Sequence, residues 1–292
     1  MARIRSMSNP MRTGGQGDTT YYVRNGEQIA RQRRNNSNYG STARRSEAQQ
    51  TNRTRWSNVI NFYKECRAWM PKAFENKKRS QSDYNVFMNM NVADSPYYLT
   101  KSQAQAGVCI PYGYLISRGS LPSIILDYTY STDVWVSDIK CTIGLEANLT
   151  IGNLSQNIIN NNSTFRNGDN IALVSLWYQR DAAQMVYCIT GYDELTLDIS
   201  SDAIWGQHEL SRYFVINSET WIAIDAPGGG AWSIAGVALI HTRKSAGKLQ
   251  VSTQRIDIVS ALNWDSWASD EQKEAAIASY GVDGVVPLEP GS

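Results

Sequence analysis

The groups that could do chemistry in this chain are few, and their spacing excludes most reactions. There are two histidines, His208 and His241, and four cysteines, Cys66, Cys109, Cys141 and Cys188. Neither histidine lies in an HExxH pair, and no cysteine stands at zinc-finger distance from a histidine, so the donor pattern of a tetrahedral zinc site is missing. No two cysteines share CxxC spacing, which reads as reduced thiols used for packing. A phosphate-binding loop needs Ser or Thr after its Gly-Lys, whereas Gly247-Lys248 is followed by Leu249. GxGxxG and GxSxG are absent, and a Ser-His-Asp set drawn from distant positions can be composed on paper from any chain of this size. The acids Asp193, Glu194, Asp198, Asp202 and Glu209 crowd one stretch and are of a type that binds calcium or works as an acid-base pair. In so acidic a region they read as solvated surface. The sequence therefore predicts no catalytic residue, no metal and no cofactor.

Charge is the stronger signal. Residues 1–80 carry 17 Lys or Arg against 5 acids, and residues 81–292 carry 11 against 22, so a net charge of +1 conceals an electrical dipole. The eleven basic residues before Lys64 are all arginine, the residue suited to gripping phosphate or carboxylate with a planar fork. Arg24, Arg31, Arg33, Arg34, Arg44, Arg45, Arg53 and Arg55 are the expected contacts, either to a neighbouring subunit or to nucleic-acid backbone.

The elements that must position them follow from pattern. TTYYVR and EQIARQ flank Asn25-Gly26, a strong hairpin signal because both residues tolerate the positive φ of a type I′ turn; the register would place Arg24 opposite Glu27 and Tyr22 opposite Ile29. Polar residues 33–42 lead to a helix expected from Glu47 to Met70, with Trp56, Val59, Ile60, Tyr63, Cys66 and Met70 as its apolar stripe, Asn58 off it, Ser46 and Gln49 as a capping box and Pro71 as its stop. Ser82 should cap a second, shorter helix through Tyr84, Phe87 and Met88.

From about Tyr97 the chain reads as strand after strand, rich in Val, Ile, Tyr, Trp and Thr and broken by turn clusters, with no helix between them long enough for a parallel crossover. Asn167-Gly168-Asp169 should open one strand, and Pro227 to Gly230 should form a wide hairpin loop. Trp264 and Trp267 should pin a closing helix over residues 270–280, capped by Ser269 with Gln272 and ended by Gly281. The expected architecture is α+β, mainly β: a basic arm with a β-hairpin over 1–42, a helical pair over 43–93, an antiparallel β-sandwich or barrel over 94–260, and a C-terminal helix and tail over 261–292. No apolar run is long enough for a membrane span and no signal-peptide pattern opens the chain, so a soluble, cytoplasmically made protein is expected.

At MARI, RNGEQIARQRRNNSNYGSTARRSEAQQ, FYKECRAWMPKAFENKKRSQSDYNVFMNMN and LISRGSLPS the chain resembles an uncharacterised group of bacterial and phage proteins. Members look like an N-terminal hairpin, a helical segment and then β-sandwich modules, and the resemblance covers the first 125 residues. It implies no catalytic residues. It implies a virion component of head, connector or tail, partnered by copies of itself, by other virion proteins or by packaged DNA. The alternatives are a nucleic-acid-binding protein acting through the basic arm in the cytoplasm and a carbohydrate-active β protein.

Overall fold

A computed structural model describes residues 2–4, 13–16, 19–24, 27–32, 47–78, 81–226, 231–259 and 261–280. The chain begins with four short strands, β1 (Ala2–Ile4), β2 (Gly14–Gln16), β3 (Thr19–Arg24) and β4 (Glu27–Gln32). Helices α1 (Glu47–Cys66), α2 (Asp83–Asn91) and α3 (Lys101–Gln105) follow. Then come β5 (Leu115–Ser117), β6 (Leu126–Thr129), β7 (Val134–Lys140), α4 (Ile151–Asn161), β8 (Asn170–Arg180) and β9 (Val186–Thr196). The last elements are β10 (Phe214–Ile216), β11 (Trp221–Ile224), β12 (Ser233–Ser245), β13 (Lys248–Val251), β14 (Gln254–Arg255), β15 (Asp257–Ile258) and α5 (Asp270–Ser279).

The body has three layers, and the sequence of its central strands shows why. One sheet runs β10-β11-β7-β6 and the other β13-β12-β8-β9, with β15 also paired to β12; all pairings are antiparallel, and the body is an open sandwich rather than a closed barrel. Along β8, Ile171 and Leu173 turn to one side and Ala172, Val174 and Leu176 to the other; along β12, Val237 and Leu239 oppose Ala238 and Ile240. The first set meets Trp135, Ile139, Ile222 and Ile224 of the facing sheet, and the second meets Val59, Phe62, Phe87 and Met88 of α1 and α2. A sheet covered on both faces needs apolar residues at every position, so these strands show a continuous apolar run instead of alternation. The helix side is lined with Ala172, Ala235 and Ala238, small residues that leave room for the stacked rings of Phe62 and Phe87, 5.9 Å apart, and for Tyr114, 4.8 Å from Phe62.

Several expectations change in detail. Helix α1 ends at Cys66, not Met70; Pro71 does not stop it but lies in the first positions of a separate 3₁₀ turn, Met70–Lys72, where a missing N–H costs nothing. The α1 stripe is rotated: Trp56 is 40% exposed, while Asn58 and Phe62 are fully buried. Asn58 faces inward because its amide replaces a strand partner for residues 110–114. Its Nδ2 donates to Ile110 O (3.1 Å) and Tyr114 Oη (2.8 Å), and its Oδ1 accepts from Ile110 N (2.8 Å). Ser82 caps α2 as expected, accepting from Asn85 N at 3.2 Å. Strand β9 runs unbroken through Gly191, which faces Ser175, whose Oγ would lie 2.4 Å from an added Cβ.

Helix α4 was not expected, since its Asn and Ser content hides the Ile151, Leu154, Ile158 stripe behind the Thr150 cap. In β7 the inward face holds Trp135, Ser137 and Ile139, and the two valines lie on the other. Strands β11 and β12 do not form a hairpin, because they belong to different sheets; residues 227–230 between them lie outside the described residues. Ser269 caps α5 from Gln272 N (3.2 Å), but the Gln272 side chain reaches Tyr98 O (2.9 Å) and Gln103 instead of closing a box. Trp264 is buried among Leu99, Val108, Ile110 and Val186, and Trp267 packs against that cluster. Ser46 and Gly281, the expected caps, lie outside the described residues. Among the described residues no helix is long and apolar enough to cross a membrane.

Candidate interaction surface

The N-terminal hairpin is part of a larger element, a four-stranded antiparallel sheet ordered β1-β4-β3-β2. Its register matches the sequence reading, with Tyr22 opposite Ile29 and Arg24 opposite Glu27. The turn residues Asn25 and Gly26 lie outside the described residues, as do Arg33, Arg34, Arg44 and Arg45. By register, positions 3, 15, 20, 22, 24, 27, 29 and 31 share one face and positions 2, 4, 14, 16, 19, 21, 23, 28, 30 and 32 the other. All the charged positions of these strands, Arg3, Arg24, Glu27 and Arg31, fall on the first face. Arg31 is exposed, with its guanidinium 5.8 Å from the Tyr22 ring centroid, a cation-π distance. No described residue of this sheet belongs to any of the three apolar cores of the body.

The two helical arginines have separate fates. Arg55 is engaged within the chain: it lies over the Tyr98 ring at 5.1 Å and donates from Nη2 to Tyr98 Oη at 2.8 Å. Arg53 is exposed and lies 4.7 Å over Tyr280, at one end of a groove that sequence reading missed. That groove follows the α1 stripe Arg53, Ser57, Ile60 and Lys64 and is walled by Lys101 and Ala104 of α3, in two adjoining hollows of about 350 and 500 Å³. The spacing i, i+4, i+7, i+11 marks one face of a helix, yet its mixture of Arg, Ser, Ile and Lys carries no hydrophobic signal.

The acids of the 193–209 stretch do not converge. Glu194 pairs with Lys72 at 2.6 Å and accepts from Tyr192 Oη, and Asp198 holds its own turn through Ser200. Burial and the nearby Glu209 carboxylate raise the Asp193 carboxyl. Among the described residues no three His, Cys, Asp or Glu side chains are placed to hold a metal ion. The four cysteines are buried and unbridged; burial pushes the Cys66 and Cys188 thiols well above their ordinary range, which suits packing and not nucleophilic attack.

One polar cluster was illegible in the sequence. Asp169, fully inside the protein, accepts from His241 Nε2 (2.8 Å), from Arg243 Nε (2.7 Å) and Nη2 (2.7 Å), and from Arg166 N (2.8 Å), while Arg243 also donates to Thr164 O. His241 and Arg243 share a face of β12 two residues apart, and Asp169 sits at the entry of the neighbouring β8, after Gly168 at φ 87°. Burial alone would raise this carboxyl; the hydrogen bonds from Arg243 and His241 outweigh it and hold it at about 2. The His241 backbone N–H donates to Ser252 Oγ, so that hydroxyl is aligned with the main chain rather than with the imidazole. The cluster ties a turn and two strands together.

A broader open groove of about 540 Å³ lies at the seam of β6, β15 and residues 111–113, with Tyr97, Tyr112, Leu126 and the half-buried Asp257 on its walls. Comparison of the chain with protein-family models, with curated proteins and with solved structures finds no match.

Proposed function

We propose that this chain is a non-enzymatic structural subunit of an assembled particle, a phage head, connector or tail component, and that its N-terminal sheet and basic arm form the subunit contact. The observation that carries this reading is the N-terminal sheet: among the described residues its strands pair with one another and none of them belongs to the apolar cores of the body, and by register its charged positions fall on one face. A sheet of three- to six-residue strands outside the apolar cores of the body gains stability by docking. The complementary surface is available on another copy, because residues 81–292 carry twice as many acids as bases. The resemblance of the first 125 residues to bacterial and phage proteins supplies the particle.

Deleting residues 1–42 removes β1 to β4 but should leave the body folded, with a cooperative thermal unfolding transition followed by tryptophan fluorescence, and abolish oligomerisation in sedimentation velocity. A truncated protein that assembles at the same concentration and salt as the full chain removes the arm from the contact.

A second reading is favoured by one feature, the exclusive use of arginine before Lys64: the arm grips nucleic-acid backbone. If so, log affinity for duplex DNA should fall against log salt with a slope of about −0.9 per neutralised phosphate and with no base preference. Absence of binding at low salt by the intact protein eliminates this reading and leaves the first.

A further inference from the structure

We propose that the groove along α1 is the seat of the chain's own C-terminal segment, residues 281–292. This inference stands on the groove alone and does not depend on the assembly reading. Helix α5 delivers the chain to the groove: the Tyr280 hydroxyl lies 2.7 Å from Ser57 Oγ, the Tyr280 ring lies under Arg53, and Lys101 N donates to Ser279 Oγ at 2.8 Å. The segment that continues from there, GVDGVVPLEPGS, offers Val282, Val285, Val286 and Leu288 with the acids Asp283 and Glu289 and no Lys or Arg. The groove is its complement, with Ile60 and the 40%-exposed Trp56 as apolar surface and Arg53, Lys64 and Lys101 on the rim.

Length and backbone chemistry agree with that occupant. The stripe from Arg53 to Lys64 is about 17 Å long at helical rise, which about five extended residues cover, so twelve are ample. Pro287 and Pro290 favour extended backbone before them and forbid a helical continuation through them. The competing internal occupant, linker residues 33–46, has Arg33, Arg34, Arg44 and Arg45 and no acid, so the basic rim repels it.

The test compares the full chain with one ended after Tyr280, each titrated calorimetrically with a synthetic peptide of residues 281–292. The shortened protein should bind the peptide saturably at one to one, and the full chain, its groove filled, should not respond over the same range. In the shortened protein, Lys64→Glu with Lys101→Glu should weaken binding about tenfold, as expected for two reversed rim charges. If the shortened protein does not fold, the full chain carrying Val286→Asp and Leu288→Asp serves instead and should take up the peptide that the unaltered chain refuses. No binding, or equal binding to full and opened proteins, overturns the proposal. Peptide binding accompanied by a fall in assembly mass on truncation assigns the groove to a neighbour's segment and overturns the own-chain assignment.

Discussion

Replacing Asp169 by Ala should lower the unfolding free energy by about 3–5 kcal/mol, the cost of removing one partner from a buried ionic cluster. The carboxylate is the common acceptor for His241, both contacting nitrogens of Arg243 and the Arg166 N–H. Its loss strands those donors where the His241 and Asp169 side chains are 1% and 2% exposed and Arg243 only 14%. Urea denaturation followed by tryptophan fluorescence measures the change. A loss under about 1 kcal/mol would mean that water or neighbouring carbonyls take over the donors and that the cluster is dispensable.

The same residue sets an acid limit. A carboxyl held at about 2 in the folded state and near 3.8 in the unfolded chain adds stability that is complete above pH 4 and disappears as pH falls through 2. The amount is about 2–3 kcal/mol at roughly 1.4 kcal/mol per pKa unit. Asp169→Asn should therefore flatten the stability curve between pH 4 and 2 relative to the unaltered protein. Other carboxylates, such as Glu75, lowered by Ser120 and Val251 donors against its own burial, titrate in both proteins and cancel in the difference. Parallel curves for the two proteins in that window would remove Asp169 as the source.

Legibility in the sequence divides along physical lines. Local signals were read well: the Ser82 and Ser269 caps, the register flanking Asn25-Gly26 and most strands depend on residues within a few positions of one another. Partnerships were not legible. Asp169 with His241 and Arg243, or Asn58 with residues 110–114, join positions that only the layered packing brings together, and polar side chains in such roles look like surface residues. Helix α4 is hidden because Asn and Ser favour turns and mask its stripe, and a Gly-rich stretch between two strand patterns does not tell whether the strands share a sheet, as β11 and β12 do not. Of the surface expected at the arginines, the sequence supplied composition only. That positions 3, 24 and 31 share one face follows from strand pairing, and the groove from packing of α1 against α3 and Tyr280.

Within α1 the ranking by hydrophobicity should be reversed by experiment. Asn58→Ala removes one donor pair and one acceptor at a site with no solvent exposure, leaving Ile110 N–H and C=O without that partner and Tyr114 Oη with Ser95 alone. At about 1–3 kcal/mol for each buried group left unsatisfied, the expected cost is about 3–5 kcal/mol. Trp56→Ala, on the same helix and far more apolar, removes one exposed hydrogen bond from its indole to Tyr84 Oη and should cost about 1 kcal/mol. Asn58 has this weight because residues 110–114 run beside α1, and at Ile110 the side-chain amide supplies the donor and acceptor that a ladder would provide. Asn58→Asp should cost at least as much as Asn58→Ala at neutral pH, since it keeps the acceptor for Ile110 N but has no N–H for Ile110 O and brings an unpaired charge inside. Equilibrium unfolding of the three variants decides the matter: a larger loss for Trp56→Ala than for Asn58→Ala would show that α1 is held by its apolar contacts and not by the amide clamp.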